Sequence, residues 1–420
     1  MDILKLIYDP FGSIGEGLRG LLTQLLVQSL GLPDWTVTLI MLIAGAGFLV
    51  AVATVTMMFL TWLERKVIAR MQDRLGPNRA GLYGILQPVA DMVKLFTKED
   101  ITPSGADRVI YNLSPMLVVL PSLLVFAVVP FANHVIISDL SIGFLYIVAI
   151  GSTSTIALLM GGWGSNNKYA LLGGMRAVAQ FVSYEIPQVL SVVGVLLLTG
   201  SLSLGRIVYA QNYVWFAAFQ PVAFIIFLLA SVSEANRTPF DLPEAESEII
   251  AGYHVEYSGI KFALYFLAEY INTFAISVFA TTIFLGGWQG PYLPGWGALL
   301  PDWLWFLLKS YAVVFVMIWM RGTLPRLRID QLMNLAWKAL VPLALVNLLL
   351  TGVGLSVMQV FGWKLNDFTV FPSLAVFLVL NVLMGAGFLA VFKPAHLPKR
   401  KVVLVSRSRA FEVTTTFTGR

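Results

Sequence analysis

Residues 233–257 read SEANRTPFDLPEAESEIIAGYHVEY, and the fold has to be built around them. They hold six carboxylates, Glu234, Asp241, Glu244, Glu246, Glu248 and Glu256, against one cation, Arg237. The chain of 420 residues has only 23 acids, so more than a quarter of them fall here. Apolar runs long enough to cross a bilayer lie on both sides. Carboxylates near hydrocarbon are costly, so an acid-rich connection between two spans needs a reason. A solvated loop would account for the acids alone. It would not account for their alternation with Pro239, Phe240, Pro243, Ile249 and Ile250, which predicts a packed segment with water or protons threaded through it.

Composition sets the class. The chain is 58% hydrophobic and 12% charged, with a mean hydropathy of +0.80, whereas soluble domains carry about 25% charged residues. This is the composition of a polytopic membrane protein. The absence of cysteine excludes disulfides, thiolate zinc sites and cysteine-bound iron–sulfur clusters from the chain. His134, His254 and His396 lie far apart, which argues against a haem held between spans. No phosphate-cradling glycine loop, catalytic triad or nucleotide fold is legible. The net charge of +5 sorts to one side of the membrane and so reads as topology rather than nucleic-acid binding.

About 20 apolar residues cross the hydrocarbon. That criterion places nine spans, at 36–63, 115–132, 140–162, 178–199, 215–233, 259–287, 303–320, 337–358 and 370–392. The expected fold is all-α, a bundle of about nine transmembrane helices with amphipathic helices on the cytoplasmic side. Residues 1–35 read as an interfacial extension, with Leu18, Leu21, Leu22, Leu25 and Leu26 at helical spacing. Residues 36–392 form one membrane domain, which includes cytoplasmic-side segments at 64–112 and 234–258. Residues 393–420 form a basic tail suited to anionic lipid. Lysines and arginines number 21 on one side of this arrangement and 4 on the other. The N-terminus is therefore expected outside and the C-terminus in the cytoplasm of a bacterial-type cell membrane.

Three features carry candidate chemistry. Glu64, Arg65 and Lys66 end the first span. The turn 74–79, RLGPNR, follows, and then residues 85–98 place apolar side chains at helical spacing between Gln87, Asp91, Lys94 and Lys98. This predicts an amphipathic helix in the membrane surface with Pro88 near its start. It reads equally as an interfacial anchor or as one wall of a slot for a lipid-soluble molecule. Within the spans, Glu185 and Glu269 are ionisable groups where such groups are rare, and desolvation lets them hold or release a proton near neutral pH. Asp241, Glu244 and Glu248 fall at i, i+3 and i+7, on one face if Pro243 opens a helix, with Glu246 pointing elsewhere. Joined to Glu234, Glu256, Glu185 and Glu269, that row has the character of a proton relay. The acids lack the Asp/Asn/Gly pattern of a calcium loop, so no metal site is expected.

Five ordered strings go further: ERK at 64–66, RLGPNRAGLYGILQPVADMVKLFTKE at 74–99, GWGSNNKYALLGGMRAVAQFVSYE at 162–185, SEANRTPFDLPEAESEIIAGYHVEYSG at 233–259 and FLAEYIN at 266–272. Together they resemble the H subunit of NADH-quinone oxidoreductase, respiratory complex I, over roughly residues 36–358, with departures at both ends. The resemblance implies a place between the membrane arm and the peripheral arm. It implies a quinone tunnel touched by Glu64, Arg65, Lys66, Gln87, Asp91, Arg237 and Phe240. It also implies a proton path through Glu185, Glu234, Asp241, Glu244, Glu246, Glu248, Glu256 and Glu269, leading to neighbouring antiporter-like subunits. Ubiquinone or menaquinone would be the substrate, with NADH, FMN and the iron–sulfur clusters held by partner subunits and no cofactor ligated by this chain. The alternatives are the related membrane subunit of an energy-converting hydrogenase and a self-contained ion transporter. The transporter is disfavoured by the lack of an internal repeat.

Overall fold

The structure is a computed structural model that describes residues 33–391 except 134, 245, 291–299 and 364–369, together with residues 17, 19, 20, 23, 24 and 27. The basic tail and most of the N-terminal extension lie outside the described residues. Among the described residues, eight helices are long and apolar enough to cross a membrane, and a ninth apolar helix is shorter. In chain order the helices are α1 (Asp34–Met71), the surface helix α2 (Gln87–Thr97), α3 (Arg108–Leu124), α4 (Gly143–Gly164) and α5 (Lys168–Thr199). The short α6 (Pro221–Glu234), α7 (Gly259–Phe284) and α8 (Asp302–Thr323) follow, then α9 (Ile329–Phe361) and α10 (Val370–Val391). Among the described residues there is no strand, only one bridge between Ala132 and Val135.

Helices α7 and α5 form the centre and are the most deeply buried of the long apolar helices, whereas α1 is the least. Helix α7 packs on α1, α3 and α8, and α5 packs on α4, α6 and α9. Helix α1 therefore leaves most of its surface uncovered by the rest of the chain, and that surface is apolar all round.

Local chemistry shifts several ends from the expected spans. Asp107 caps α3, its Oδ1 accepting from the backbone N–H groups of Val109 at 3.1 Å and Ile110 at 3.4 Å, so α3 begins seven residues before 115. The Asn167 side chain likewise accepts from Tyr169 N at 2.9 Å and starts α5 ten residues before 178. Helix α1 runs on past 63 to Met71, because no breaker occurs before the Gly76-Pro77 turn. The ERK triplet thus lies inside a helix rather than at its end. Successive residues differ by about 100° around the axis, so Glu64 turns inward while Arg65 stays exposed. The expected span at 215–233 is divided: a single turn, Phe216–Phe219, precedes Gln220 and then Pro221 opens α6. Non-helical backbone at membrane depth survives only where protein covers it, and Phe216, Phe219 and Gln220 are all fully buried.

The acidic segment between α6 and α7 is a run of tight turns with one α-helical turn, Glu246–Ile249, and one 3-10 turn, Gly252–His254. Pro243 does not open a helix carrying Asp241, Glu244 and Glu248, so the expected shared face does not form. Packing is the reason. Phe240, Leu242, Ile249, Tyr253 and Tyr257 are buried, and they pull the backbone into a compact coil. Gly252 closes that coil at φ +63, where an added Cβ would lie 1.6 Å from the Pro243 carbonyl oxygen.

Candidate functional site

Glu64 on α1, Glu269 on α7, Arg321 at the end of α8 and Arg237 from the acidic segment converge in the core. The Arg237 guanidinium lies 3.2 Å from Glu64 Oε2 through Nη1 and 3.2 Å from Glu269 Oε1 through Nε. Its face covers the Tyr270 ring at 4.3 Å. Arg321 donates to the other oxygen of Glu64. Two carboxylates thus meet two guanidiniums, and the side chains of Arg237 and Glu64 are only 5% and 8% exposed. Burial by itself would weaken the hold of Arg237 on its proton. Glu269 and Glu64 outweigh that effect and keep it charged. Removing one member of a buried ionic set typically costs about 3–5 kcal/mol, because the others stay buried without their partner.

A third carboxylate is balanced less completely, since the charges of Arg237 and Arg321 reach it but do not offset its burial. Glu244 lies against Tyr253, whose hydroxyl donates to Oε1 at 3.4 Å, and 4.0 Å from His254 Nδ1. Burial, then the nearby charges of Glu269 and Asp241, raise its carboxyl well above the ordinary range. Glu244 is thus suited to hold a proton.

Two small cavities of about 50 Å³ each have the deeper acids in their walls. One is lined by Glu269, Asn272, Tyr253, Tyr265 and Glu234. The other is lined by Glu234, Asn272, Gln188 and Glu185. Each is polar enough, and roomy enough, to take water. Glu234 lines both. Ser152 donates to Glu185 at the far end. The structure brings Glu64, Arg237, Glu244 and Glu269 together and reaches Glu234 and Glu185 through these cavities. Asp241 lies close enough for its charge to act on Glu244 and Glu269. Glu248 does not join them, since its half-exposed side chain pairs with Arg176 at 2.7 Å. Glu256 is held apart by Asn167 Nδ2 at 2.5 Å. The side chain of Glu246 lies outside the described residues.

A larger cavity of about 440 Å³ adjoins the ionic cluster. Glu64, Arg321 and Tyr270 line it on the inside, with Ile68, Phe266 and Pro77 as apolar walls and Arg65 and Arg74 towards its mouth. The 76–84 turn that bounds it depends on Gly84, at φ +77, where a Cβ would sit 2.2 Å from the Pro77 carbonyl oxygen. Helix α2 begins at Gln87 with Pro88 in its first turn, as the sequence predicts. Asp91 on α2 ties it to α1 through Arg65 Nη1 at 2.6 Å and also accepts from Gln87 Nε2 at 3.3 Å. Val89, Val93 and Phe96 are exposed on α2. Lys66 packs its stem beside Gly76.

Phe240 does not line the three cavities described above. It is 1% exposed, stacks edge-on against Tyr184 at 5.4 Å, and its carbonyl accepts from Gln180 Nε2 at 2.8 Å. Arg321, Tyr270 and Asn272 escaped the sequence reading. Arg321 follows a long apolar run and reads as a topology charge, while Tyr270 and Asn272 sit inside the FLAEYIN string without a pattern of their own.

A protein-family model described as NADH dehydrogenase matches residues 44–352. The range contains every residue of the cluster and cavities above, and α10 falls beyond it. The chain is similar to the H subunit of NADH-quinone oxidoreductase from Geobacillus kaustophilus, 52% identical over 325 residues that cover 76% of this chain and 96% of the relative. It is also similar to the H subunit of Dehalococcoides mccartyi, 53% identical over 317 residues, covering 76% of this chain and 86% of the relative. A third relative, the second of the numbered H subunits of Geobacter sulfurreducens, is 52% identical over 303 residues, covering 70% and 90%.

Proposed function

The chain belongs to the NADH dehydrogenase family, as a multi-pass membrane subunit of NADH-quinone oxidoreductase (complex I) of the H type, and from that premise we propose that it forms part of the quinone site and the proton path leading from it. The quinone headgroup enters the cavity bounded by Glu64, Arg65 and Arg321, beside Arg237. The walls supplied by Ile68 and Phe266 support this reading, since a lipid-soluble ring needs apolar surface and its carbonyl oxygens need donors. Lys66, Gln87 and Asp91 hold the surface-helix side of the same site, and Phe240 acts only as packing behind it. Ubiquinone or menaquinone is the substrate; partner subunits hold NADH, FMN and the iron–sulfur chain and deliver electrons from the cytoplasmic side. The N-terminus lies outside and the C-terminus inside, with one membrane domain at 36–392 between a terminal extension and a basic tail.

The coupling step is electrostatic. A quinone accepting electrons next to Arg237 changes the charge that Glu64 and Glu269 must balance. Glu269 and Glu244 then change protonation, and the proton moves along Glu234 and Glu185 towards the antiporter-like subunits. Asp241 contributes charge to this group, while Glu246, Glu248 and Glu256 form its cytoplasmic entrance. The observation that carries the reading is that Glu234 lines both small cavities, with Glu269 on one side and Glu185 on the other. In assembled complex within inverted membrane vesicles, Glu234→Gln is expected to lower NADH-driven proton uptake on the order of a hundred-fold, as loss of a proton-transfer group does. Uptake and quinone reduction at unmodified rates would refute the relay.

A further inference from the structure

Lys309 on α8 is a cation inside a membrane span, 8% exposed, that the proposed quinone and proton chemistry does not use. Its ammonium donates to three backbone carbonyls: Leu285 at 2.6 Å, Gly287 at 3.1 Å and Gln289 at 2.5 Å. Its charge lies 4.5 Å over the Trp215 ring. All three carbonyls belong to the turn immediately after α7.

That turn is where α7 meets its main physical difficulty. The last carbonyls of a helix have no intrahelical donors, and inside a membrane no bulk water replaces them. Gly286 and Gly287 bend the chain at positive φ, and Leu285 N and Gly287 N both return to Thr281 O at 3.1 Å and 2.9 Å. Gln211 supplies a donor to Thr282 O at 3.0 Å and accepts from Gly286 N at 2.9 Å. Lys309 takes the carbonyls of the turn itself. A cation is also the favoured charge at a helix C-terminus, where the aligned peptide dipoles leave about half a negative charge. Lys309 and Gln211 thus buckle the end of α7 to its neighbours.

Helix α7 is a rod. Glu269 sits fifteen residues before Phe284, about 22 Å along the axis at the usual rise, and the Arg237–Glu269 contact of 3.2 Å has little tolerance for an axial slip. We propose that Lys309 is a positioning residue for the ionic cluster: through the carbonyls of Leu285, Gly287 and Gln289 it fixes the height of α7 and so holds Glu269 against Arg237. This rests on the reading that Glu269 takes part in coupling.

The test is a double-mutant cycle in the whole complex, with quinone reduction expressed per assembled complex. A loss that reflects only poor assembly disappears on that scale. Lys309→Met is expected to lower turnover by up to about a hundred-fold, the loss that displacing a reacting group by about 1 Å produces, and Lys309→Arg, which keeps the donors, recovers most of it. On a Glu269→Gln background Lys309→Met should add nothing, because it acts through that residue. Full turnover of Lys309→Met, or effects that simply multiply with Glu269→Gln, would overturn the proposal. If Glu269→Gln alone has no effect, the relay reading fails instead. The cycle is then judged against Arg237→Lys, where multiplying effects again overturn the positioning role. Should Lys309→Met fail to assemble, Lys309→Gln, which retains part of the donor set, is carried through the same cycle and decided by the same outcomes.

Discussion

At the residue scale the acidic segment is governed by burial more than by its formal charge. His254 packs against Tyr253 at 4.9 Å and Phe262 at 5.4 Å, and burial pushes it down from 6.5 to about 4. When the segment opens, His254 regains its ordinary affinity for a proton. The opened form therefore binds more protons between those two values, and the packed form loses up to about 3 kcal/mol as pH falls through that window. Glu244 has the opposite sign. Its raised carboxyl, caused first by burial and then by Glu269 and Asp241, stabilises the packed form in acid and ceases to do so as pH rises through its folded value. The prediction is that, once rates are corrected for the intrinsic slowing of amide exchange in acid, opening of residues 241–257 in the assembled complex accelerates on lowering the pH from about 7 to about 5, and that His254→Phe removes most of that acceleration. Equal acceleration in the variant would show that another group controls the opening.

At the element scale, the quinone-side cavity depends on how α2 is held. Its inner anchor is the Arg65–Asp91 pair at 2.6 Å, with side chains 45% and 29% exposed. A pair that open to solvent contributes at most about 1 kcal/mol, so it orients the helix more than it stabilises the fold. The apolar face carrying Val89, Val93 and Phe96 supplies the attachment to the bilayer surface. Asp91→Asn is accordingly expected to leave the complex assembled while raising KM for quinone roughly three-fold, the scale of a contact worth under 1 kcal/mol, with kcat less affected. The informative control is the swap of Arg65→Asp with Asp91→Arg, which should return KM towards its original value. An unchanged KM in Asp91→Asn would separate this pair from the substrate wall.

At the scale of the whole molecule, the long helices set where each of the chain's polar clusters emerges. The ionic cluster lies where α1, α7 and α8 meet the acidic segment, and the Lys309 buckle lies at the opposite end of α7. The charge asymmetry of the connections favours the cytoplasmic side for the first of these. The chain has no cysteine, so single cysteines report sidedness directly. Asn78→Cys in the turn after α1 should react with a membrane-impermeant maleimide only from the cytoplasmic side, and Asn212→Cys, before the Phe216–Phe219 turn, only from the opposite side. Both positions are exposed. Labelling of both from one side would overturn the orientation.

The membrane class, the helical bundle, the surface helix with Pro88 at its start and the family were all legible in the sequence by itself, because hydropathy, helical periodicity and ordered strings are local properties of a chain. The division of labour among the acids was not. Asp241, Glu244 and Glu248 share a helical spacing, yet burial of Phe240, Leu242 and Tyr253 coils that segment instead, leaving Glu244 half-buried against Tyr253 and Glu248 at the surface beside Arg176. Which acid meets which cation depends on contacts between residues far apart in sequence: Glu64 with Arg237 and Arg321, Glu269 with Arg237, Lys309 with the carbonyls that end α7. Residues 233–257 announce in the sequence that charge must be placed near the membrane. Only the packing of α1, α7 and α8 around them decides which charges are desolvated and paired, since desolvation depends on what covers a group and not on its neighbours along the chain.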